Sequence, residues 1–179
     1  MADSVPGQDL EAPTAAAAAL FDAEALARYR AVISRLAQPY VTTSGLPVLG
    51  EYPPRGIGAA AGLISTVRDL AKYDAALDTQ VLLSSAMQAR AWTPFVLTGG
   101  QRSPYGLGWF TQTTAAGTAI WHYGLWPTFS SLLLKLPERG VTLILLANSD
   151  GLSARFPLAD GNVAVSPFAA AFIAAMRSQ

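Results

Sequence analysis

The spacing of apolar residues predicts three helices in the first hundred residues. The first begins at Asp22, a good N-cap residue, and ends before Pro39. Its apolar face consists of four residues at helical spacing: Leu26, Tyr29, Ile33 and Leu36. A T-x-x-D pattern at Thr66 and Asp69, typical of a capping box, predicts the start of the second helix. A third, shorter helix is expected to begin at Ser84.

Two other segments of this half carry no such spacing. Residues 1–13 contain acidic residues and no basic one, and we expect them to form a flexible acidic tail. A signal peptide needs positive charge at this point, so residues 15–21 are not expected to be its apolar region. Four prolines and five glycines between Pro39 and Gly62 predict an irregular connecting segment.

Short apolar runs in the second half predict strands instead of helices. We expect four of them: Tyr105–Gln112, Ala119–Tyr123, Phe129–Leu136 and Val141–Ala147. The last two are almost wholly apolar, which is typical of central strands covered on both faces. Residues 137–140 connect them closely, as in an antiparallel hairpin, and Ser166 followed by Pro167 predicts the start of a closing helix.

Helices followed by strands and a last helix are the order of an α+β fold and not of an alternating α/β fold. The pattern therefore divides the chain into three parts. Residues 1–13 are the flexible acidic tail, and residues 14–100 are a helical and loop region. Residues 101–179 are expected to form an antiparallel sheet with the C-terminal helix packed on it.

Charge and composition exclude several classes of protein. Twelve basic residues balance twelve acidic ones, and such a neutral chain lacks the basic face that nucleic-acid binding needs. The apolar runs fall far short of the roughly 18 residues of a membrane span. With no cysteine and a single histidine, no metal site and no cofactor are expected. Charged residues make up only 13% of the chain, against roughly 25% in ordinary soluble domains.

His122, the sole histidine, lies at the end of a predicted strand among many aromatic residues. Seven of the seventeen aromatic residues fall between positions 105 and 129. Such a concentration forms either an aromatic core around a packed histidine or the wall of a ligand cleft. Gly124 is a position where a backbone N–H could approach a ligand closely.

A serine, acid and histidine triad made of Ser65, Asp69 and His122 is an alternative that the sequence disfavours. Ser65 lacks the G-x-S-x-G context in which such a nucleophile is presented. The helix start at Thr66 explains both Ser65 and Asp69 better. Glycine-rich phosphate loops are also absent from the sequence.

Five segments, in a fixed order, resemble landmarks of serine hydrolases related to class C β-lactamases, penicillin-binding proteins and esterases. They are residues 62–74 (GLISTVRDLAKYD), 105–109 (YGLGW), 122–124 (HYG), 136–139 (LPER) and 146–151 (LANSDG). Each is weak alone, but their common order and spacing extend the resemblance over roughly residues 20 to 177. The resemblance implies part of a β-lactamase-like fold, with residues 14–179 a portion of one larger hydrolase domain.

The resemblance also implies site residues. His122-x-Gly124 corresponds to the third active-site motif, K-T-G or H-x-G, with His122 as a donor or positive end near the substrate. Gly124 would leave room for the acyl group, and the backbone N–H of Leu125 would be the second oxyanion donor. Four aromatic residues would line the substrate: Tyr105, Trp109, Tyr123 and Trp126.

The first two motifs of these hydrolases are absent from the 179 residues. The sequence has two lysines, and neither follows a serine at a distance of three: Asp69 precedes Lys72 and Leu132 precedes Lys135, so there is no S-x-x-K. No tyrosine begins a Y-x-N motif. The chain thus resembles the C-terminal portion of such a hydrolase, without its nucleophile, and is expected to be inactive alone.

Other functions stay open at this point. The chain could be a non-catalytic module that binds ligands, or a structural protein that depends on a partner. Expected partners are a small acyl substrate in the parent protein, the missing N-terminal half or a second copy, but no nucleic acid and no membrane span. The sequence does not define the substrate, the oligomeric state or the compartment, although related hydrolases are often exported or periplasmic.

Overall fold

A computed structural model describes residues 1–7, 21–43, 45–58 and 60–177 of the chain. These residues contain four α-helices, namely α1 (Ala23–Ile33), α2 (Val67–Asp78), α3 (Ser85–Trp92) and α4 (Pro167–Arg177). They also contain eight strands, namely β1 (Val5–Pro6), β2 (Tyr40–Thr43), β3 (Leu46–Leu49), β4 (Leu63–Ile64), β5 (Phe110–Thr114), β6 (Gly117–Trp126), β7 (Phe129–Leu136) and β8 (Val141–Ala147). The expected mixed α+β composition is confirmed.

Side-chain caps explain where the first three helices begin. The Asp22 carboxylate accepts the N–H of Ala25 at 2.8 Å, and the Thr66 hydroxyl accepts that of Asp69 at 3.2 Å. Ser84 caps α3 in the same way. Each cap supplies an acceptor to an N–H that the helix itself leaves unpaired. Helix α1 ends at Ile33, short of the predicted end near Pro39.

Strands β5 to β8 form one antiparallel sheet in chain order. A turn of 3-10 helix joins β7 to β8, as the close connection between them predicted. The first strand is displaced from its prediction, because it begins at Phe110 and not at Tyr105. Gly108 has a φ of 82°, and the chain turns at residues 106–109 so that Tyr105 forms an isolated bridge with Phe110.

The main core lies between this sheet and α4. Trp121, Leu132 and Leu134 have almost no exposed surface, and Ala169 and Ile173 of α4 belong to the same cluster. Alternate residues of a strand point to one face, so these side chains share the face that α4 covers. The predicted packing of the closing helix on the sheet is thus present.

Helix α2 is attached at the opposite face through a buried cation. Lys135 lies between the buried residues Leu134 and Leu136 and therefore points away from α4. Its side chain is 2% exposed and forms ion pairs with Asp74 and, at 3.0 Å, with Asp78 of α2. A buried ammonium needs such partners, because an uncompensated charge in the interior is very costly.

Two small sheets occupy segments that were predicted to lack regular structure. Strand β1 pairs with β4, and Val5 is 3% exposed in a small core with Tyr29 and Val32. Residues 1–7 therefore differ from the expected flexible tail, while residues 8–13 lie outside the described residues. Strands β2 and β3 form a hairpin in the segment predicted to be irregular, and Leu46 at its turn is 69% exposed.

Candidate active site

His122 lies in the middle of β6, although the sequence predicted it at the end of a strand. Strand β5 pairs with β6 only over Gly117–Trp121. From His122 to Trp126 the strand pairs with β7 on one side, and no described strand pairs with its other side. This open edge carries the whole H-x-G motif and the two residues that follow it.

The structure brings Tyr105 to His122. The Tyr105 hydroxyl lies 2.8 Å from Nε2 of His122, and the two rings meet edge to face with centroids 5.7 Å apart. Phe110 packs against both rings, at 4.6 Å from Tyr105 and 5.9 Å from His122. The aromatic concentration of the sequence is therefore partly a wall around the histidine.

A tight loop holds Tyr105 in this place. The Gly106 N–H donates to the carbonyl of Trp109 at 2.7 Å, and the Leu107 N–H donates to the carbonyl of Ala91 at the end of α3. A Cβ atom on Gly106 would collide with that same carbonyl, so the close approach of loop and helix needs glycine. The loop thus fixes the position of the phenol ring relative to β6.

Burial shifts the pKa of both members of the pair in the direction that favours the neutral form. It lowers the pKa of the half-buried His122 imidazole below its ordinary value of 6.5, against a smaller opposing effect of the Tyr123 backbone. Burial, and next the Tyr123 phenol, raise the pKa of the Tyr105 phenol. The family resemblance gave His122 as a donor or positive end near the substrate, and a neutral imidazole keeps one N–H donor.

Gly124 is packed tightly against the neighbouring strand. It lies opposite Ser131 of β7, and a Cβ atom added to Gly124 would collide with the Ser131 hydroxyl. The carbonyl of Gly124 also accepts a hydrogen bond of 3.0 Å from the Ser153 hydroxyl. Neither serine was singled out in the sequence, although Ser130 and Ser131 are adjacent polar residues at the start of β7, which is a usable signal of a polar site.

Leu125 and Trp126 lie beyond Gly124 and are 47% and 45% exposed. They line a shallow cavity of about 320 Å³ together with Pro127, Asp150 and Ala154. The Asp150 carboxylate accepts the Thr42 N–H at 3.3 Å, which brings the β2–β3 hairpin to this cavity. The surface that follows the H-x-G motif along β6 is therefore mainly apolar and contains one carboxylate.

The other two aromatic residues of the expected site lie at different positions relative to His122. Tyr123 points to the face covered by α4, where it is partly buried against the main core, and its ring centroid is 6.0 Å from that of His122. Trp109 is half-buried in the loop after Tyr105, and among the described residues it has no ring contact with His122. The structure therefore groups Tyr105, and not Trp109, with the histidine.

Ser65 and Asp69 belong to a separate polar cluster. The Ser65 hydroxyl lies 2.8 Å from that of Ser4, and Ser4 in turn donates to the Asp69 carboxylate at 3.0 Å. Burial acts to raise the pKa of Asp69, but hydrogen bonds from Lys72, the Asp3 amide and Ser4 outweigh it and lower the pKa to about 2. This cluster ties β1 to the start of α2.

In the part of the chain that the structure describes, no helix is long and apolar enough to cross a membrane.

The fold and the order of the motifs agree with a comparison against protein families. The family model named Beta-lactamase matches residues 7–166, which is most of the chain. The chain therefore belongs to the Beta-lactamase family, and the resemblance identified from the five segments is confirmed.

The individual relatives share only about 30% sequence identity with the chain, over part of its length. The chain is 31% identical over 96 residues to penicillin-binding protein 4* of Bacillus subtilis, covering 53% of this chain and 21% of that protein. It is 28% identical over 130 residues to unguisins hydrolase ungD' of Aspergillus campestris, covering 67% of this chain and 24% of that one. The chain thus matches about a quarter or less of the length of these curated relatives.

A solved structure supports the fold. The octameric penicillin-binding protein homologue from Pyrococcus abyssi superposes with a TM-score of 0.59 and 23% identity. The match covers 80% of this chain and 32% of that one. Because the identity is this low, the comparison is evidence of the fold alone, and that fold is β-lactamase-like.

Proposed function

We propose that this chain is the C-terminal, substrate-facing portion of an acyl-serine hydrolase that acts on an ester, β-lactam or peptide carbonyl. Strand β6 would form one wall of the active site. The nucleophile and its lysine would come from chain outside these 179 residues, because S-x-x-K and Y-x-N are both absent here. Alone, the chain would not transfer acyl groups.

The observation that carries the proposal is the open edge of β6 at the H-x-G motif. A carbonyl substrate needs hydrogen-bond donors at the position where negative charge develops, and backbone N–H groups at a strand edge can supply them. In the proposed enzyme Gly124 would leave room for the acyl group, and Leu125 follows it directly. In the proposed enzyme the Leu125 N–H is the second oxyanion donor, beside the N–H of the nucleophilic serine.

The polar pair next to this edge supports the same assignment. Tyr105 and His122 lie within hydrogen-bond distance of each other, and His122 begins the part of β6 that pairs with a described strand on one side only. A neutral phenol and imidazole can orient a substrate, or pass a proton, without bringing a fixed charge into the site. They would act together with the proton-transfer groups of the missing motifs.

The proposal is tested by comparing acylation of the 179-residue chain with acylation of a longer chain that is extended upstream. The 179-residue protein is treated with a fluorescent penicillin and with p-nitrophenyl esters, and its mass is measured. We expect no adduct and no hydrolysis. The same reading frame is then extended upstream until it includes an S-x-x-K motif, and this longer chain is expected to be acylated at that serine.

Two variants of the extended chain test the oxyanion donor. Leu125→Pro removes the N–H, and Leu125→Ala is its matched control because it shortens the side chain and keeps the N–H. Loss of one oxyanion donor lowers kcat by roughly 10²–10³, so we expect that loss for proline alone, with circular dichroism confirming the fold of both variants. Hydrolysis by the 179-residue chain alone, abolished by His122→Ala, contradicts the proposal, as does an upstream frame without S-x-x-K.

A further inference from the structure

The peptide group between Gly124 and Leu125 contains both the carbonyl of Gly124 and the N–H assigned above as the oxyanion donor. A trans peptide unit is planar, so its C=O and its N–H point in opposite directions. A group that holds the Gly124 carbonyl therefore also fixes the direction of the Leu125 N–H. The Ser153 hydroxyl is such a group, because it donates to this carbonyl at 3.0 Å.

The position of the Ser153 hydroxyl shows which way this peptide group faces. The hydroxyl also lies 3.5 Å from the carbonyl of Ser131, the residue of β7 that is opposite Gly124. One hydroxyl can approach both carbonyl oxygens only if that of Gly124 points toward β7, since neighbouring strands lie about 4.8 Å apart. The Leu125 N–H then points the other way, to the edge of β6 that no described strand covers.

Ser153 is itself held in place. It is 2% exposed, and its own N–H donates to the Asp150 carbonyl at 3.1 Å, so that it closes the 3-10 turn Asp150–Leu152. A buried hydroxyl is rarely left without a partner, and the Gly124 carbonyl is the nearer of its two acceptors. The hydroxyl therefore acts on β6 from a fixed position.

Gly124 is a position where such a hold has a large effect. Without a Cβ atom, glycine has wider backbone freedom than other residues. A Cβ atom cannot be present here, because it would collide with the Ser131 hydroxyl. The hydrogen bond to the carbonyl restricts the freedom of the glycine, and it also polarises the peptide group so that the N–H becomes a stronger donor.

We propose that Ser153 is a positioning residue for the oxyanion donor. Its hydroxyl holds the Gly124 carbonyl so that the N–H of Leu125 is directed at the substrate carbonyl. This inference rests on the proposed function, because the substrate and the nucleophile belong to that proposal. Ser153 does not touch the substrate and acts through the peptide group alone.

Ser153→Ala removes the hydroxyl, and Ser130→Ala is its matched control at the same turn. Ser130 is also buried, but its hydroxyl donates to the Ser149 carbonyl at 2.6 Å and accepts the Leu152 N–H at 3.1 Å. In NMR spectra of the folded 179-residue chain, we expect Ser153→Ala to shift the Gly124 carbonyl ¹³C signal upfield, because the carbonyl is then less polarised. Ser130→Ala should leave this signal in place, and an unchanged signal in folded Ser153→Ala overturns the inference.

The extended chain tests the effect on catalysis. We expect Ser153→Ala to lower kcat by roughly tenfold, which is less than the roughly 10²–10³ lost with the whole donor. KM should change little, because the donor acts mainly in the transition state. Ser153→Cys keeps a weaker donor and should lose less, while Ser130→Ala should keep the kcat of the unmodified enzyme. Beside Leu125→Pro, Ser153→Ala should lower kcat no further, because both changes act on one N–H.

The outcomes separate this inference from the proposed function. An acylated extended chain in which Ser153→Ala loses no more kcat than Ser130→Ala, or loses it equally beside Leu125→Pro, overturns the inference and leaves the hydrolase intact. An extended chain that is never acylated overturns the proposed function and with it the catalytic role of Ser153, whereas the carbonyl signal still reports the hydrogen bond itself.

Discussion

The two ends of the chain are stabilised in different ways. In the sheet region, residues 105–177, one continuous apolar cluster joins all four long strands to α4. The N-terminal region, which is the described part of residues 1–104, has only a small cluster around Val5, Tyr29 and Val32. Polar contacts supplement this cluster. Ser4, next to β1, donates to Asp69 within the region, and the ion pair of Asp74 with Lys135 attaches α2 to the sheet.

The difference indicates how far each region can be stabilised by its own residues. Burial of apolar surface is the dominant favourable contribution to folding, and the sheet region obtains it from its own residues. The N-terminal region leaves large apolar side chains exposed, among them Leu49 at 62% and Val81 at 74%. We infer that the sheet region is the stable platform and that the N-terminal region is held onto it.

The largest expected effect comes from breaking the link between the regions. Lys135→Ala leaves Asp74 without its buried partner, which typically costs about 3–5 kcal/mol of unfolding free energy. Urea denaturation measures it. Lys72→Ala is the matched control, because Lys72 pairs with Asp69 on the same helix but is 61% exposed, and such pairs contribute at most about 1 kcal/mol. Equal losses in the two variants would refute the role of Lys135 as a strong link between the regions.

The two cores can be compared by equivalent truncations. Leu134→Ala, in the main core, is expected to cost about 2–5 kcal/mol and to destabilise the whole protein. Val32→Ala, in the small core, removes less apolar surface and is expected to cost about 1.5 kcal/mol. Hydrogen exchange should show faster opening of α1 in Val32→Ala with the sheet amides unchanged. Sheet amides that open together with α1 would mean that the two regions unfold as one.

The smallest effect is expected at the surface of the N-terminal region. Arg35 pairs with Asp3 at 2.6 Å, but the two side chains are 60% and 41% exposed. Arg35→Ala should therefore cost less than about 1 kcal/mol. In 1 M NaCl the difference from the unmodified protein should shrink, because salt weakens the interaction between charges that are exposed to solvent. A loss above 2 kcal/mol that salt leaves unchanged would show that this ion pair holds the N-terminal residues more strongly than an exposed pair can.

The sequence predicted the sheet region better than the N-terminal region, and the reason is physical. Long apolar runs such as Val141–Ala147 carry a strong strand signal, and polar caps mark the helix starts. Strand β3 contains Pro47 and leaves its apolar residues exposed, so it shows neither alternation nor burial. Strand β1 has only two residues, which is too short for any periodicity.

The candidate site was predictable in composition but not in contacts. The motif order singled out His122, Gly124 and Tyr105, and these residues lie on or beside the open part of β6. The bond between Tyr105 and His122 depends on how residues 106–109 turn, and that turn is determined by contacts with α3. Sequence spacing alone contains no information on such a contact.

The exposed β2–β3 hairpin also affects how the protein behaves in solution. The chain is formally neutral and its sequence pI is about 6.6, so near that pH its copies lack the electrostatic repulsion that keeps proteins apart. Because leucines are exposed on the hairpin, the protein should precipitate most readily at a pH near its pI. A buffer well above pH 7, where the chain becomes an anion, is the rational choice for concentrating it.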